Sequence, residues 1–292
     1  MAIAFDRSFA APHGEKVQLS PLVARLLANN PGIFTFQGTG VYFVGRQSLA
    51  VIDPGPDLPV HREALKRALE GRTVSHILVT HTHLDHSPAA RFLQEWTGAK
   101  VYAFGPHPAH DEDGVAVEEG GDQDFRPDVF VKDGDVLAGE GFSIECVFTP
   151  GHTSNHMCYA LREEKALFSG DHVMGWSTSV IVPPDGDMRA YLASLEKLLT
   201  RDDEIYYPTH GAPVAAPRAL VRSYIEHRLA REAQILACIG DGLATIPQMV
   251  ARIYAELDVR LHPAASRSVL AHLLKLTDEG RVHRDGESYR LQ

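Results

Sequence analysis

Thr80-His81-Thr82-His83-Leu84-Asp85-His86 follows directly on the apolar run Ile77-Leu78-Val79, and its reading decides the fold. Four metal-ligating side chains stand where an extended strand gives way to a turn. Side chains at i and i+2 of an extended backbone point to the same side, so His81 and His83 can grip one ion together. Ser87-Pro88 then reads as an N-cap followed by proline at the first helical position. The chain bends there, and Asp85 and His86 leave the strand direction to face a second ion. Packing asks for no such pattern at the edge of a hydrophobic strand. The stretch reads as a metal site and not as a polar surface loop.

The chain around it has 292 residues, enough for roughly two domains and a sizeable core. No apolar run approaches the roughly 18 residues of a membrane span, and Met1-Ala2-Ile3-Ala4-Phe5-Asp6-Arg7 lacks the pattern of a signal peptide. Cys146, Cys158 and Cys238 have apolar neighbours and no Cys-x-x-Cys spacing, which suits buried thiols in a reducing compartment. A cytoplasmic location is the expectation. Asp and Glu number 38 against 28 Lys and Arg, a balance that disfavours RNA or DNA as a general partner.

Strand-like segments occupy Ile33–Phe36, Val41–Val44, Leu49–Asp53, Ile77–Thr80, Val101–Phe104, Val129–Val131, Phe142–Phe148, Met157–Leu161, Ala166–Phe168 and Ile205–Tyr207. Helical patterns fit Pro59–Leu69, Pro88–Trp96 and Met188–Leu199. Strand meanders interleaved with helices suggest sheet layers covered by helices, an α/β sandwich. The Asp- and Glu-rich stretch from His107 to Asp128 reads as a solvated surface insertion, with a flap over the site as the other reading. After Ala212-Pro213 the chain turns helical: a long helix from Arg218 to about Cys238, then Ile246 to Ala255, then about Pro263 to Gly280. It closes on a hairpin signal at Asp285-Gly286. Helix, helix and hairpin outline a winged helix, so two domains are expected, residues 1–232 and 233–292.

Three further turns repeat the theme of a strand ending on a ligand. Val147-Phe148-Thr149-Pro150-Gly151-His152 and Tyr206-Tyr207-Pro208-Thr209-His210-Gly211 each offer an imidazole, and Leu167-Phe168-Ser169-Gly170-Asp171 a carboxylate. Small residues and prolines in each turn present the ligand by backbone geometry.

The order His-x-His-x-Asp-His, Pro-Gly-His-Thr, Ser-Gly-Asp, Thr-His-Gly is similar to that of the metallo-β-lactamase superfamily, and Val51-Ile52-Asp53-Pro54-Gly55 matches its early Asp-bearing strand end. The resemblance implies an αββα sandwich with a dinuclear site at one edge. It implies that His81, His83 and His152 hold one metal, that Asp85, His86 and His210 hold the other, and that Asp171 bridges them. It also places Asp53 behind the ligands, where it orients one of them. Asn30-Pro31-Gly32, Gln37-Gly38-Thr39, His152-Thr153-Ser154-Asn155-His156-Met157 and His227-Arg228-Leu229-Ala230-Arg231-Glu232 resemble the β-lactamase-like protein 2 group, which carries a C-terminal winged-helix-like domain. Gly40-Val41 departs from the Asn-Thr usual in that group.

Five imidazoles and two carboxylates without a thiolate suit two divalent ions, Zn²⁺ first, with Mn²⁺ or Fe tolerated. Two metals sharing a water make it a hydroxide near neutral pH. Lowering the water pKa from about 15.7 to about 7 is worth roughly 12 kcal/mol. No Ser or Cys nucleophile is then needed, and Asp85 is the candidate catalytic residue, accepting the water's hydrogen. The expected function is a metal-dependent hydrolase acting on a small-molecule phosphodiester or other ester-type substrate; RNA is a substrate class of the resembled group. The alternatives are a glyoxalase II-like thioesterase and a mononuclear-iron persulfide dioxygenase. His156 reads as a strand-end histidine, or else as an oxyanion donor or leaving-group acid. The loop Ile181–Asp187 is a candidate cleft wall, and Arg222, Arg228 and Arg231 read as a solvated helix face. The tail is expected to pack or to form a homodimer contact, since Pro263–Leu276 carries only Arg267 and Lys275 as positive charges.

Overall fold

In the computed structural model, which describes residues 3–108 and 120–292, two sheets stack face to face between helical layers. The first sheet holds β1 (Lys16–Gln18), β2 (Val23–Leu27), β3 (Gly40–Gly45), β4 (Ser48–Ile52), β5 (Thr73–Leu78), β6 (Lys100–Ala103) and β7 (Val129–Phe130), side by side in chain order. The second holds β8 (Val136–Gly139), β9 (Phe142–Phe148), β10 (Met157–Leu161), β11 (Ala166–Gly170) and β12 (Ile205–Pro208). Strand alternation explains the layering. Along β3, Val41 and Phe43 face an outer core while Tyr42 and Val44 face the space between the sheets. The outer core of the first sheet is completed by α1 (Pro59–Leu69) and α2 (Ala89–Thr97), through Leu65, Leu69 and Leu93. On the far side, α3 (Met188–Leu199) and the first half of α4 (Pro217–Gly240) cover the second sheet through Tyr191, Leu195, Val221 and Tyr224. This is the expected αββα sandwich.

Strand direction decides where the ligands go. β4 and β5 run parallel, which brings Asp53 beside Thr80; β11 and β12 run parallel, which brings Asp171 beside His210. β9 and β11 are each antiparallel to β10, so β9 ends on the same edge and delivers His152 there.

One strand expectation fails. Ile33–Phe36 is not a strand. The segment is a turn closed by a Gly32–Phe36 bridge, with Thr35 Oγ1 donating to Asn30 O at 2.6 Å and Phe36 at φ 55°. Its β-like composition instead serves an exposed apolar rim, with Ile33 71% accessible. Conversely β1 and β2 carry no clean alternation. Arg25 sits inside β2, buried against Gly211 O and the Phe9 ring. Of the acidic stretch 107–128, residues 109–119 lie outside the described residues. Its far end runs beside the histidine loop, with Leu84 N donating to Gly120 O at 3.0 Å and Asp122 N to Thr82 O at 2.8 Å.

The tail comprises α5 (Ile246–Ile253), α6 (His262–Asp278) and the hairpin β13 (Val282–Asp285) and β14 (Ser288–Leu291), a winged helix. Its core takes Ile235, Cys238 and Ile239 from the second half of α4, so one 24-residue helix belongs to both units. A buried carboxylate clamps them: Glu232 accepts from Lys275 Nζ at 2.6 Å and Arg281 Nη1 at 2.5 Å. Glu232→Ala should cost about 2 kcal/mol, because Lys275 keeps only Glu279 as partner. Chemical denaturation would read the loss, and an unchanged midpoint would show the clamp to be dispensable.

No described helix is long and apolar enough to cross a membrane.

Candidate metal centre

The turns after β5, β9, β11 and β12 bring all seven sequence-predicted side chains into one buried cluster. Donor atoms of His81, His83 and His152 lie within 4.8 Å of one another, as do those of Asp85, His86 and His210 and those of His81, His86 and Asp171. Asp171 stands between the groups: its Oδ1 is 3.7 Å from His86 Nε2 and its Oδ2 is 3.4 Å from His210 Nε2. Gly170 makes this possible. At φ 52° its Cα passes so close to the His156 ring that a Cβ would lie 2.5 Å from Nε2.

The His81, His86, His152 and His210 imidazoles are each turned by a hydrogen bond on the nitrogen that faces away. His86 Nδ1 donates to Asp53 Oδ2 at 2.9 Å, His152 Nδ1 to Val180 O at 2.6 Å, and His210 Nδ1 to Gly38 O at 3.1 Å. Thr80 Oγ1 donates to Asp53 Oδ2 at 2.7 Å and so accepts from His81 Nδ1 at 3.1 Å. These bonds fix the tautomers so that the Nε2 lone pairs point inward. His83 is the exception, presenting Nδ1 3.0 Å from His81 Nε2. His86 Nε2, His152 Nε2 and Asp171 Oδ1 are buried without a hydrogen-bond partner. Buried polar atoms are seldom left so, and here they converge on one place with lone pairs in hand. The donor set fits divalent cations.

The electrostatics agree. Burial alone would raise the Asp85 carboxyl, but the His86 and His210 imidazoles hold it well below the usual carboxylate range. Burial opposes charge on His210, yet the Asp171 and Asp85 carboxylates lift it to about 10. Burial, with the neighbouring His86, His83 and His152 rings, pushes His81 far down. Two buried carboxylates thus stay ionised and demand positive charge beside them, which protons or divalent ions can supply.

Several supporting residues have roles that no motif assigns them. Thr39 Oγ1 donates to Asp85 Oδ2 at 2.9 Å. Asn155 Nδ2 donates to Thr82 Oγ1 at 2.8 Å and ties the His152 turn to the His81 strand end. Ser179 Oγ donates to Asp171 O and His172 O, and the Arg228 guanidinium holds Ser179 O. The 177–180 loop that aims His152 is therefore pinned from α4. Only contact across more than forty residues of chain reveals this, and no local pattern signals it. Arg228 is buried and Arg231 half-buried, which corrects the solvated-face reading of Arg222, Arg228 and Arg231; of these three only Arg222 is exposed. His156 and His172 are buried behind the ligands, and His156 Nδ1 pairs with Thr149 Oγ1 at 2.9 Å; neither lines the cleft.

A cleft of about 490 Å³ opens over the cluster, with His83, Asp85, His152, Asp171 and His210 in its wall. Ile33, Phe34 and Phe36 form one side, Phe36 stacking on Trp176 at 4.8 Å. The tail closes another with Tyr254, Leu257 and Leu261. The candidate loop Ile181–Asp187 is not part of the wall: Ile181 is wholly buried in the core under α3, and Met174 with residues 176–180 contribute instead.

Residues 35–210 match the metallo-beta-lactamase superfamily, and residues 245–290 match the beta-lactamase associated winged helix domain. The chain is 31% identical to the lactamase-like protein adaB of Aspergillus niger, over 94% of this chain and 86% of that one. It is 32% identical to an atrochrysone carboxyl ACP thioesterase of Claviceps purpurea, over 82% of this chain and 74% of the relative. A beta-lactamase domain protein from Burkholderia ambifaria shares the fold, with a TM-score of 0.80 at 20% identity over 99% of this chain and 97% of that one. With these His- and Asp-bearing strand ends gathered on one edge and a winged helix beside the cleft over them, the chain belongs to the metallo-beta-lactamase superfamily.

Proposed function

We propose that this protein is a metal-dependent hydrolase of ester-type bonds, with thioesters its foremost substrates. Residues 1–232 would carry the chemistry and 233–292 the winged helix. His81, His83 and His152 would hold one divalent ion and Asp85, His86 and His210 a second, with Asp171 between them, and the ligand types favour Zn²⁺. Ions bound there would supply an activated water and polarise the scissile carbonyl.

The chain's own groups do the rest. Asp85 Oδ2 is engaged by Thr39 and faces the His86 and His210 imidazoles, which leaves Oδ1 to accept the attacking water's hydrogen. Water oxygen bonds to the acyl carbon, the carbon–sulfur bond breaks, and the proton held at Asp85 passes to the departing thiolate. The products are a carboxylic acid and a thiol. Phe36 and Trp176 exclude bulk water from one side of the cleft.

The observation that carries this reading is the cleft itself: an open trough with the candidate ligands in its wall and largely apolar sides, sized for an acyl group. The thioesterase named among its relatives supports the same choice. Phosphodiester cleavage is the second reading, favoured by Arg7, Arg228 and Arg231 in the lining. The winged-helix tail counts against a glyoxalase II-like enzyme, whose C-terminal unit is helical.

Metal quantification with a substrate panel tests the proposal. The panel comprises an acyl-pantetheine thioester, S-lactoylglutathione, bis-p-nitrophenyl phosphate, single-stranded RNA and a β-lactam. Two zinc-like ions per chain and turnover of the acyl-pantetheine are expected. One iron per chain with no hydrolysis would point to the persulfide dioxygenase reading and sink this one.

A further inference from the structure

One face of α4 looks into the cleft and carries His227, Arg228 and Arg231, the last two less than one helical turn apart. Their situations differ. Arg228 is buried and committed to Ser179 O beside the Tyr191 ring. Arg231 is half-buried, with its guanidinium 4.1 Å over the Tyr254 ring of the tail. Its Nη1 donates to Gln234 at 3.0 Å, and its Nε is buried without a partner. Among the described residues no carboxylate lies within ion-pair distance of it. A guanidinium offers five N–H donors in a flat fork that matches a carboxylate or phosphate, so most of this fork is unused. Burial and the neighbouring Arg228 disfavour its charge, a cost that an anion seated there would offset. The chain carries a net charge of -10, yet among the described residues the only carboxylates lining the cleft are the metal-site pair Asp85 and Asp171. Charge that runs against the rest of a molecule inside its cleft selects ligands of the opposite sign.

We propose that Arg231, backed by Tyr254, is a specificity residue that seats an oxyanion of the substrate remote from the scissile bond. The substrate is then an ester or thioester bearing a second, anionic group, either a carboxylate on the acyl portion or a phosphate on the thiol portion. The inference rests on the cleft being the substrate site, as the proposed function has it. Tyr254 belongs to the winged helix, so the tail helps choose the substrate.

The test uses binding of inert thioethers to the metal-loaded, full-length protein, measured by calorimetry. One pair differs by a terminal carboxylate against its primary amide; the other is an S-alkyl phosphopantetheine against the S-alkyl pantetheine. The wild type should bind the anionic member of one pair at least about 10-fold more tightly, about 1.4 kcal/mol. Arg231→Gln should erase that preference while affinity for the neutral members holds. Arg231→Lys, which keeps the charge and loses the fork, should retain part of it. The pair that responds identifies the source of the anion. Metal ions attract anions too, so only the preference lost in Arg231→Gln counts. No wild-type preference in either pair, no binding of any member, or a preference kept by Arg231→Gln would overturn the proposal. Thioester turnover is scored separately: preference without turnover leaves the subsite standing and removes the thioesterase reading.

Discussion

His83→Ala is expected to lower kcat by more than about 100-fold, beyond what loss of a ligand's supporting partner costs. The ring presents Nδ1 3.0 Å from His81 Nε2 and lines the cleft, so its removal opens the His81, His83 and His152 group without unpacking a core. Water can fill the space, and stability should change little. Metal analysis and kinetics on the same preparation check both halves: fewer ions per chain and a collapsed kcat, with the thermal midpoint of the metal-stripped protein unchanged. Wild-type turnover by the variant, or by protein stripped of metal, would remove the ligand role.

Asp53→Asn is the second large effect, and it isolates charge from shape. Asp53 is buried at φ 49°, a conformation asparagine tolerates, so the backbone is not the cause of any loss. Its Oδ1 accepts from Thr80 N at 2.7 Å, and its Oδ2 accepts from Thr80 Oγ1, His86 Nδ1 and Thr209 Oγ1. An amide must turn its NH₂ toward one of these sets, and donor then faces donor. His86 loses the acceptor that keeps its Nε2 lone pair inward. The expected result is a roughly 10- to 100-fold fall in metal affinity or kcat. About 1–3 kcal/mol of stability should go with it, because buried donors lose their acceptor. Metal titration and denaturation measure the two terms; wild-type behaviour in both would show that the neutral amide serves as well.

The candidate ligands can be read from the chain because each is announced locally. A β-run ends, a Pro, Gly or Thr turn follows, and the ligand stands at a set place in that turn, as at Pro150-Gly151-His152 and Ser169-Gly170-Asp171. The helix Pro59–Leu69 was equally plain, with proline at its start and Ala64, Leu65 and Ala68 on one face. Tertiary context wrote the rest. The 33–36 segment has strand composition but bends around Asn30 O to form a rim. The strand Val23–Leu27 hides a buried arginine whose partners are distant in sequence. Arg228 and Arg231 share a helix, yet one is locked to Ser179 and the other stacks on a tail residue; spacing alone makes them alike.

The helix common to both units also says how this architecture can be rewritten. Its first half anchors the loop that aims His152, and its second half is built into the winged helix, which ends in turn on the Tyr254 side of the cleft. A cut between Ile235 and Gly240 strips the tail of part of its own floor, whereas a splice between Arg228 and Arg231 moves Ile235, Cys238 and Ile239 together with α5, α6 and the hairpin. Chimeras joined there would inherit the reaction from one parent and the far wall of the trough from the other. The winged helix is thus an interchangeable die on a fixed press.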